Sequence, residues 1–133
     1  DGSGYDIDYD QDGTVVQSQG ERLLAEWLTA HGIAYRYDAK FRIIGEFQIR
    51  PDFYLPELDV FIEYWGLDTP QYKMSMYKKQ LLYQQEGKRL ISVYPKDLPN
   101  LSALLASKLR LFGYAVTGVD ERSEVSPSRR PPL

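Results

Sequence analysis

The stretch RPDFYLPELDVFIEYWG, residues 50 to 66, predicts two short strands joined by a tight turn. Aromatic and branched residues flank the turn former Pro56 and its neighbour Glu57 on both sides. Each predicted strand contains one carboxylate, Asp52 in the first and Glu63 in the second. The arrangement of these two acids decides both the fold and the chemistry that we expect.

Successive side chains of a strand point to opposite faces, so Asp52 should share a face with Arg50 and lie opposite to Ile49. Two antiparallel neighbours can then bring Asp52 and Glu63 together on one side of a sheet. Like charges at that separation repel unless a cation lies between them or one is protonated. Oxygen ligands favour Mg²⁺ or Mn²⁺, and the backbone carbonyl of Tyr64 is a candidate third ligand.

The periodicity of the rest of the chain predicts an α/β fold of order αβββαβα. A capping box of Ser18 and Glu21 predicts the start of the first helix. Connections are short, so the first three strands form an antiparallel meander, and the fourth returns parallel after a helix. Helices should cover both faces of this mixed sheet. The predicted elements are a helix at 18–31, strands at 33–45, 47–55 and 59–65, a helix at 69–86, a strand at 88–95, a helix at 98–113 and a closing strand at 114–119.

Charge is distributed unevenly over the 133 residues. The formal net charge is −3, yet the first thirteen residues hold five aspartates and no base; without them sixteen bases face fourteen acids. Residues 71–89 hold five bases against Glu86 alone, which favours a polyanionic partner. We expect an acidic flexible tail at 1–17, one domain at 18–119 and a Pro- and Ser-rich flexible tail at 120–133.

The absence of cysteine excludes disulfides and thiolate metal sites. A single histidine, His31, gives neither a nucleophilic triad nor a zinc site. No apolar window is long enough to span a bilayer and no leader opens the chain, so we expect a cytoplasmic protein without a membrane partner.

The motif Pro51-Asp52, the later Glu63 and the predicted order of elements from 18 to 112 resemble the PD-(D/E)XK nucleases, also called the restriction-endonuclease-like superfamily. The pattern RPDFYLP…VFIEYWG…K…Y…G…LI is similar to nuclease domains attached to some bacterial and phage helicases. The resemblance implies Mg²⁺- or Mn²⁺-dependent hydrolysis of DNA that leaves a 5′-phosphate, in a module of a larger DNA-processing protein with a fused or associated helicase. It also implies that Glu21, on the first helix, helps Asp52 and Glu63 to hold the metal.

The superfamily usually has a lysine two residues after the second acid, and this chain has Trp65 there. Lysines displaced to the following helix are known in the superfamily. On that helix Lys79 shares one stripe with three apolar or aromatic residues, Tyr72, Met76 and Tyr83. Lys79 is therefore the predicted catalytic lysine, with Lys78 and Lys73 as the alternatives.

Two further groups of residues complete the predicted site. The resemblance places Tyr83 beside the scissile phosphate, as a fifth candidate catalytic residue after Asp52, Glu63, Lys79 and Glu21. Basic and aromatic side chains are expected to hold the DNA backbone and to stack on unpaired bases. These candidate nucleic-acid-binding residues are Lys73, Lys78, Tyr72, Tyr77 and Arg50.

Other interpretations of the same residues stay open from sequence alone. Asp52 could pair with Arg50, Glu63 with a lysine of the long helix, and Glu21 could serve only the capping box. The chain could also be a nucleic-acid-binding module of the same fold that has lost catalysis, as Trp65 in place of the lysine would indicate. A third interpretation is a protein-docking domain that uses its aromatic surface.

Overall fold

The computed structural model of the chain describes residues 12–38, 42–44 and 47–118. Most of the predicted tail at 1–17 and all of that at 120–133 lie outside these ranges. The elements, in chain order, are α1 (Asp12–Ala30), β1 (Arg36–Tyr37), β2 (Arg42–Ile44), β3 (Phe47–Ile49), β4 (Phe53–Leu55), β5 (Val60–Tyr64), α2 (Pro70–Gln85), β6 (Arg89–Val93), a 3-10 helix (Pro95–Asn100) and α3 (Leu101–Leu111).

Helix α1 begins at Asp12 and not at Ser18 as the capping box predicts. Ser18 is therefore an interior residue of the helix, and the prediction that it caps the helix with Glu21 is wrong. An N-cap side chain accepts hydrogen bonds from the first amides of a helix, which have no carbonyl partner in a preceding turn. At Ser18 a preceding helical turn is present, so the amides that follow are not the first of the helix. The side chain of Glu21 is consequently available for contacts with other elements.

The main sheet has four strands in the order β1-β4-β5-β6. Strands β4 and β5 are antiparallel and joined by the predicted turn, in which the Leu58 and Asp59 amides donate to the Leu55 carbonyl. Strand β6 returns parallel to β5 after α2, which confirms the predicted mixed sheet. The register pairs Phe53 with Ile62, so that Asp52, one residue earlier, lies opposite Glu63.

The predicted strands at 33–45 and 47–55 are each divided. Strand β1 joins the main sheet beside β4, whereas β2 and β3 form a separate two-stranded sheet. The second division lies at Pro51, which has no amide hydrogen to donate to a ladder. Strand alternation therefore does not continue across it: Ile49 packs with Phe61 and Tyr83, on the face that was predicted for Arg50 and Asp52.

Helices cover both faces of the main sheet, as predicted. Residues of α1 and α3, such as Leu24 and Leu105, bury one face together with Phe53 and Ile62. Helix α2 covers the other face, where Tyr83 packs on Phe61 with ring centroids 5.3 Å apart. The two acids of the predicted site therefore lie beneath α2.

Helix α2, Pro70–Gln85, is one residue shorter at each end than the predicted 69–86 and has clear end signals. Thr69 is its N-cap and accepts a hydrogen bond from the Tyr72 amide at 3.2 Å, with Pro70 in the first turn. Gly87 ends the helix at φ 65°, a left-handed conformation that glycine adopts at low cost. This exact length matters because it brings Tyr72, Lys79 and the last turn over β5.

The chain after β6 differs from the prediction in two places. The helix expected from residue 98 begins as a 3-10 helix that contains Pro99, and the α-helix starts only at Leu101. Proline lacks the amide that a regular helical ladder needs. The closing strand expected at 114–119 is not present in its described part, residues 114–118.

Candidate active site

Asp52 and Glu63 lie side by side on the α2 face of the sheet, as the strand pattern predicts. Asp52 Oδ2 accepts a hydrogen bond of 2.7 Å from the Tyr64 amide, and the Asp52 carbonyl accepts one of 2.8 Å from the Asp38 amide. The register of the two strands places Asp52 directly opposite Glu63. The backbone on both sides thus holds Asp52 against its partner acid.

Glu63 is the one buried charged residue among the described residues, with 2% of its surface exposed. Its Oε2 atom accepts hydrogen bonds from the Tyr83 hydroxyl at 2.7 Å and from the Lys79 ammonium at 2.8 Å. A buried carboxylate without such donors would be very costly. Tyr83, which is 1% exposed, therefore contacts Glu63 itself, whereas the resemblance places it beside the phosphate.

Both carboxyl groups bind protons more tightly than ordinary acids do. Burial, followed by the charges of Glu63 and Glu21, raises the pKa of Asp52 well above 3.8. Burial also raises the pKa of Glu63, although Lys79 opposes the shift. A divalent cation can bind the two carboxylates in place of protons, because two adjacent oxygen-only groups are the ligands that Mg²⁺ and Mn²⁺ prefer.

Lys79 is the lysine that reaches the acids. Its ammonium donates to the Arg50 carbonyl at 3.0 Å and lies 6.0 Å from the centre of the Trp65 ring, in addition to its contact with Glu63. Lys78 is exposed, and Lys73 forms an exposed ion pair with Asp68 at 2.9 Å. Helix α2 therefore places a positive charge next to the Trp65 indole.

Glu21 lies on α1, which packs against the face of the sheet opposite to Asp52 and Glu63. Its Oε1 atom accepts a hydrogen bond from the Tyr37 hydroxyl, and its charge contributes to the raised pKa of Asp52. Tyr37 was not a candidate from the sequence. No sequence signal could have found it, because its partner lies on another element and its strand is only two residues long.

Of the remaining candidate residues, Tyr72 lies near the site, whereas Tyr77 and Arg50 lie at the surface. The Tyr72 hydroxyl lies 3.5 Å from the Tyr64 carbonyl, the candidate third metal ligand, and burial raises the pKa of Tyr72. Tyr77 is 58% exposed. Arg50 forms an ion pair with Asp38 at 3.1 Å, so this alternative partner for Asp52 is engaged elsewhere.

The acids do not form a complete metal cage. Within the described ranges, no three side chains of His, Cys, Asp or Glu come together as a metal-binding group. A divalent ion would be held by Asp52 and Glu63, with the Tyr64 carbonyl and water completing its oxygen ligands. Two buried donors, the Tyr64 hydroxyl on the α1 face of the sheet and Trp65 Nε1, have no hydrogen-bond partner.

Comparison with family models, curated proteins and solved structures found no match for this chain. Among the residues that the structure describes, no helix has both the length and the apolar character needed to cross a membrane. The function must therefore be argued from the site itself.

Proposed function

We propose that the chain is a metal-dependent deoxyribonuclease that hydrolyses phosphodiester bonds and leaves a 5′-phosphate, as a module of a larger DNA-processing protein such as a helicase. The observation that carries the proposal is the contact of 2.8 Å between Lys79 and the buried Glu63, with Asp52 opposite Glu63 on the neighbouring strand. A structural ion pair needs only one acid. Here two acids and an amine meet at one point, with an aromatic ring beside them.

Asp52 and Glu63 would bind Mg²⁺ or Mn²⁺ as deprotonated carboxylates. The ion, when bound, would neutralise charge on the scissile phosphate and lower the pKa of a coordinated water. Tyr83 keeps Glu63 oriented by donating to its Oε2 atom. The Tyr64 amide does the same for Asp52.

Lys79 would stabilise the negative charge that develops on the phosphate. An ammonium has three N–H donors, and the Lys79 contacts with Glu63 and the Arg50 carbonyl account for two of them. The third can donate to a phosphate oxygen or orient a water. Because the site is partly buried, such a hydrogen bond is worth more than it would be in water.

The experiment compares wild type with Asp52→Ala, Lys79→Met and Lys78→Met on single- and double-stranded DNA with Mn²⁺. We expect Asp52→Ala to abolish cleavage and Lys79→Met to reduce its rate roughly 100-fold. Lys78→Met is the matched control, since it removes a neighbouring charge from the exposed side of the same helix, and should retain most of the activity.

DNA affinity in EDTA distinguishes this proposal from its alternatives. Asp52→Ala should bind DNA at least as well as wild type, because it removes a negative charge from the site. A wild-type protein that binds DNA without cleaving it would instead be an inactive binding module. Trp65 at the lysine position and the absence of a third clustered acid in the described ranges favour that second candidate. Equal cleavage by Lys79→Met and Lys78→Met would contradict the role of Lys79.

A further inference from the structure

The side of α2 that faces away from the sheet has a row of large apolar side chains. Met74, Tyr77 and Leu81 are each more than half exposed, and they account for three of the six large apolar residues that are exposed in the described ranges. Offsets of three and four place them on one side of the helix. Met76 and Tyr83, which are buried, lie on the opposite side, where Tyr83 packs against the sheet. Helix α2 therefore has two apolar sides, of which the sheet covers one.

The spacing of this apolar row, Met74, Tyr77 and Leu81, suits another helix better than it suits DNA. Single exposed apolar residues are common on proteins, whereas a continuous row of large ones marks a binding surface. Residues at i, i+3 and i+7 form the seam along which one helix packs on another. Met74 and Leu81 gain little from a phosphate backbone, and Tyr77 alone offers a ring on which a base could stack. The occupant that fits the row is therefore a helix.

The charges beside the apolar row are positive. Lys78 is exposed and lies four residues after Met74 and three before Leu81, at the border of the row. Helix α2 contains no acid, and Lys73 already pairs with Asp68 outside the helix. A second copy of this chain packed through the same row would place further lysines against Lys78, which is unfavourable. A helix with Asp or Glu beside its apolar seam would instead pair with Lys78.

We propose that the apolar row of α2 binds an acidic amphipathic helix of a partner protein. The apolar residues of that helix pack on the row, and its carboxylates pair with Lys78. This surface is separate from the candidate site, because Lys79 points to Glu63 on the covered side of α2. The inference therefore goes beyond the proposed nuclease activity and does not require it.

The test uses two synthetic peptides of about three heptads that differ only in charge. Both have leucine at the a and d positions; one has glutamate at the e and g positions, and the other has lysine there. Fluorescence anisotropy of the labelled peptides measures their affinity for the full chain. We expect the glutamate peptide to bind, and the lysine peptide to bind at least about 10-fold more weakly.

Two variants show whether binding takes place at the row. Leu81→Ser should weaken binding of the glutamate peptide roughly 10-fold, and Lys78→Glu should reverse the preference between the two peptides. Leu111→Ser is the matched control and should bind as wild type does, because Leu111 is an exposed leucine of α3, on the other side of the sheet. Circular dichroism verifies the fold of each variant.

The contrary results are distinct from one another. Equal binding of the glutamate peptide by Leu81→Ser and wild type, or equal binding of both peptides by wild type, would overturn the inference. A wild-type dimer in sedimentation that Leu81→Ser dissociates would also overturn it, because a second copy would then cover the row. Loss of DNA binding or cleavage in Leu81→Ser would assign the row to the nucleic-acid surface instead. Peptide binding and DNA cleavage are measured separately, so either proposal can fail while the other stands.

Discussion

Glu63 illustrates how single residues determine the chemistry of this protein. Its carboxylate is 2% exposed and meets two hydrogen-bond donors, one aromatic and one cationic, on the same oxygen. The cation comes from Lys79, whose ammonium lies 6.0 Å from the centre of the Trp65 ring. The long flexible side chain of lysine lets a helix residue bring its amine to a carboxylate on a neighbouring strand.

Asp52 makes the folded protein sensitive to pH in the absence of metal. The folded state holds the Asp52 proton at pH values where the unfolded chain has released it. The stability contributed by this group is therefore complete below about pH 3.8 and is lost as the pH rises through the raised pKa. Asp52→Asn cannot ionise, so in EDTA at neutral pH we expect it to unfold at a higher temperature than wild type.

Thermal scans across pH verify this expectation, with Asp68→Asn as the control because that side chain is 88% exposed. Mn²⁺ should reverse the order of stability, since ligand binding stabilises only the variant that retains the metal-binding acid. A lower unfolding temperature for Asp52→Asn at every pH would show that Asp52 is a stabilising charge.

Contact between α1 and β5 determines where Glu21 lies. Gly20 has φ within the helical range and packs directly on the Tyr64 ring: a Cβ built at Gly20 would lie 2.2 Å from Tyr64 Cζ. Tyr64 is completely buried and belongs to the strand of Glu63, so it has little room to move. Glycine is thus required here for the close approach of helix and sheet.

Gly20→Ala should destabilise the protein even though alanine is the better helix former. The gain in helix propensity is about 1 kcal/mol, whereas the clash requires a shift of α1, and overpacking costs about 1–3 kcal/mol. We expect a net loss of stability in urea unfolding. Gln19→Ala, at the exposed preceding position, should change stability by less than about 0.5 kcal/mol. A Gly20→Ala variant as stable as wild type would contradict this close contact.

The whole molecule has a net charge of −3, so any attraction for DNA must come from a local surface. Helix α2, PQYKMSMYKKQLLYQQ, contains three lysines and no acid. Lys79 points to the acids, whereas Lys73 and Lys78 are exposed. The basic surface is therefore on the same side of the sheet as the candidate site, and α3 lies on the other side.

Salt dependence of DNA binding measures how many phosphates this surface contacts. In metal-free buffer the affinity of wild type should fall steeply with salt, and Lys73→Ala/Lys78→Ala should reduce the slope by about two. Lys108→Ala, on α3, should leave the slope unchanged. A slope near zero for wild type would instead indicate a protein-docking domain.

Local sequence patterns were sufficient to predict much of the fold and the central residues of the site. Alternation in β4 and β5 predicted that Asp52 and Glu63 share a face, and the stripe on α2 predicted that Lys79 points inward; both are confirmed. Strand and helix periodicities are properties of the backbone, so neighbouring residues specify them without help from the rest of the chain. The prediction from strand alternation failed at Pro51, because proline has no amide hydrogen and so interrupts the hydrogen bonding of the strand.

The sequence by itself thus determined the α/β class, the mixed sheet and the meeting of two acids with one lysine. Only the tertiary structure decided that α1 starts at Asp12, that Tyr83 contacts Glu63 and that Tyr37 holds Glu21. The two contacts depend on how separate elements pack, and they join residues up to twenty positions apart. Such contacts leave no periodic signal in the chain, because they arise from the packing of complete elements.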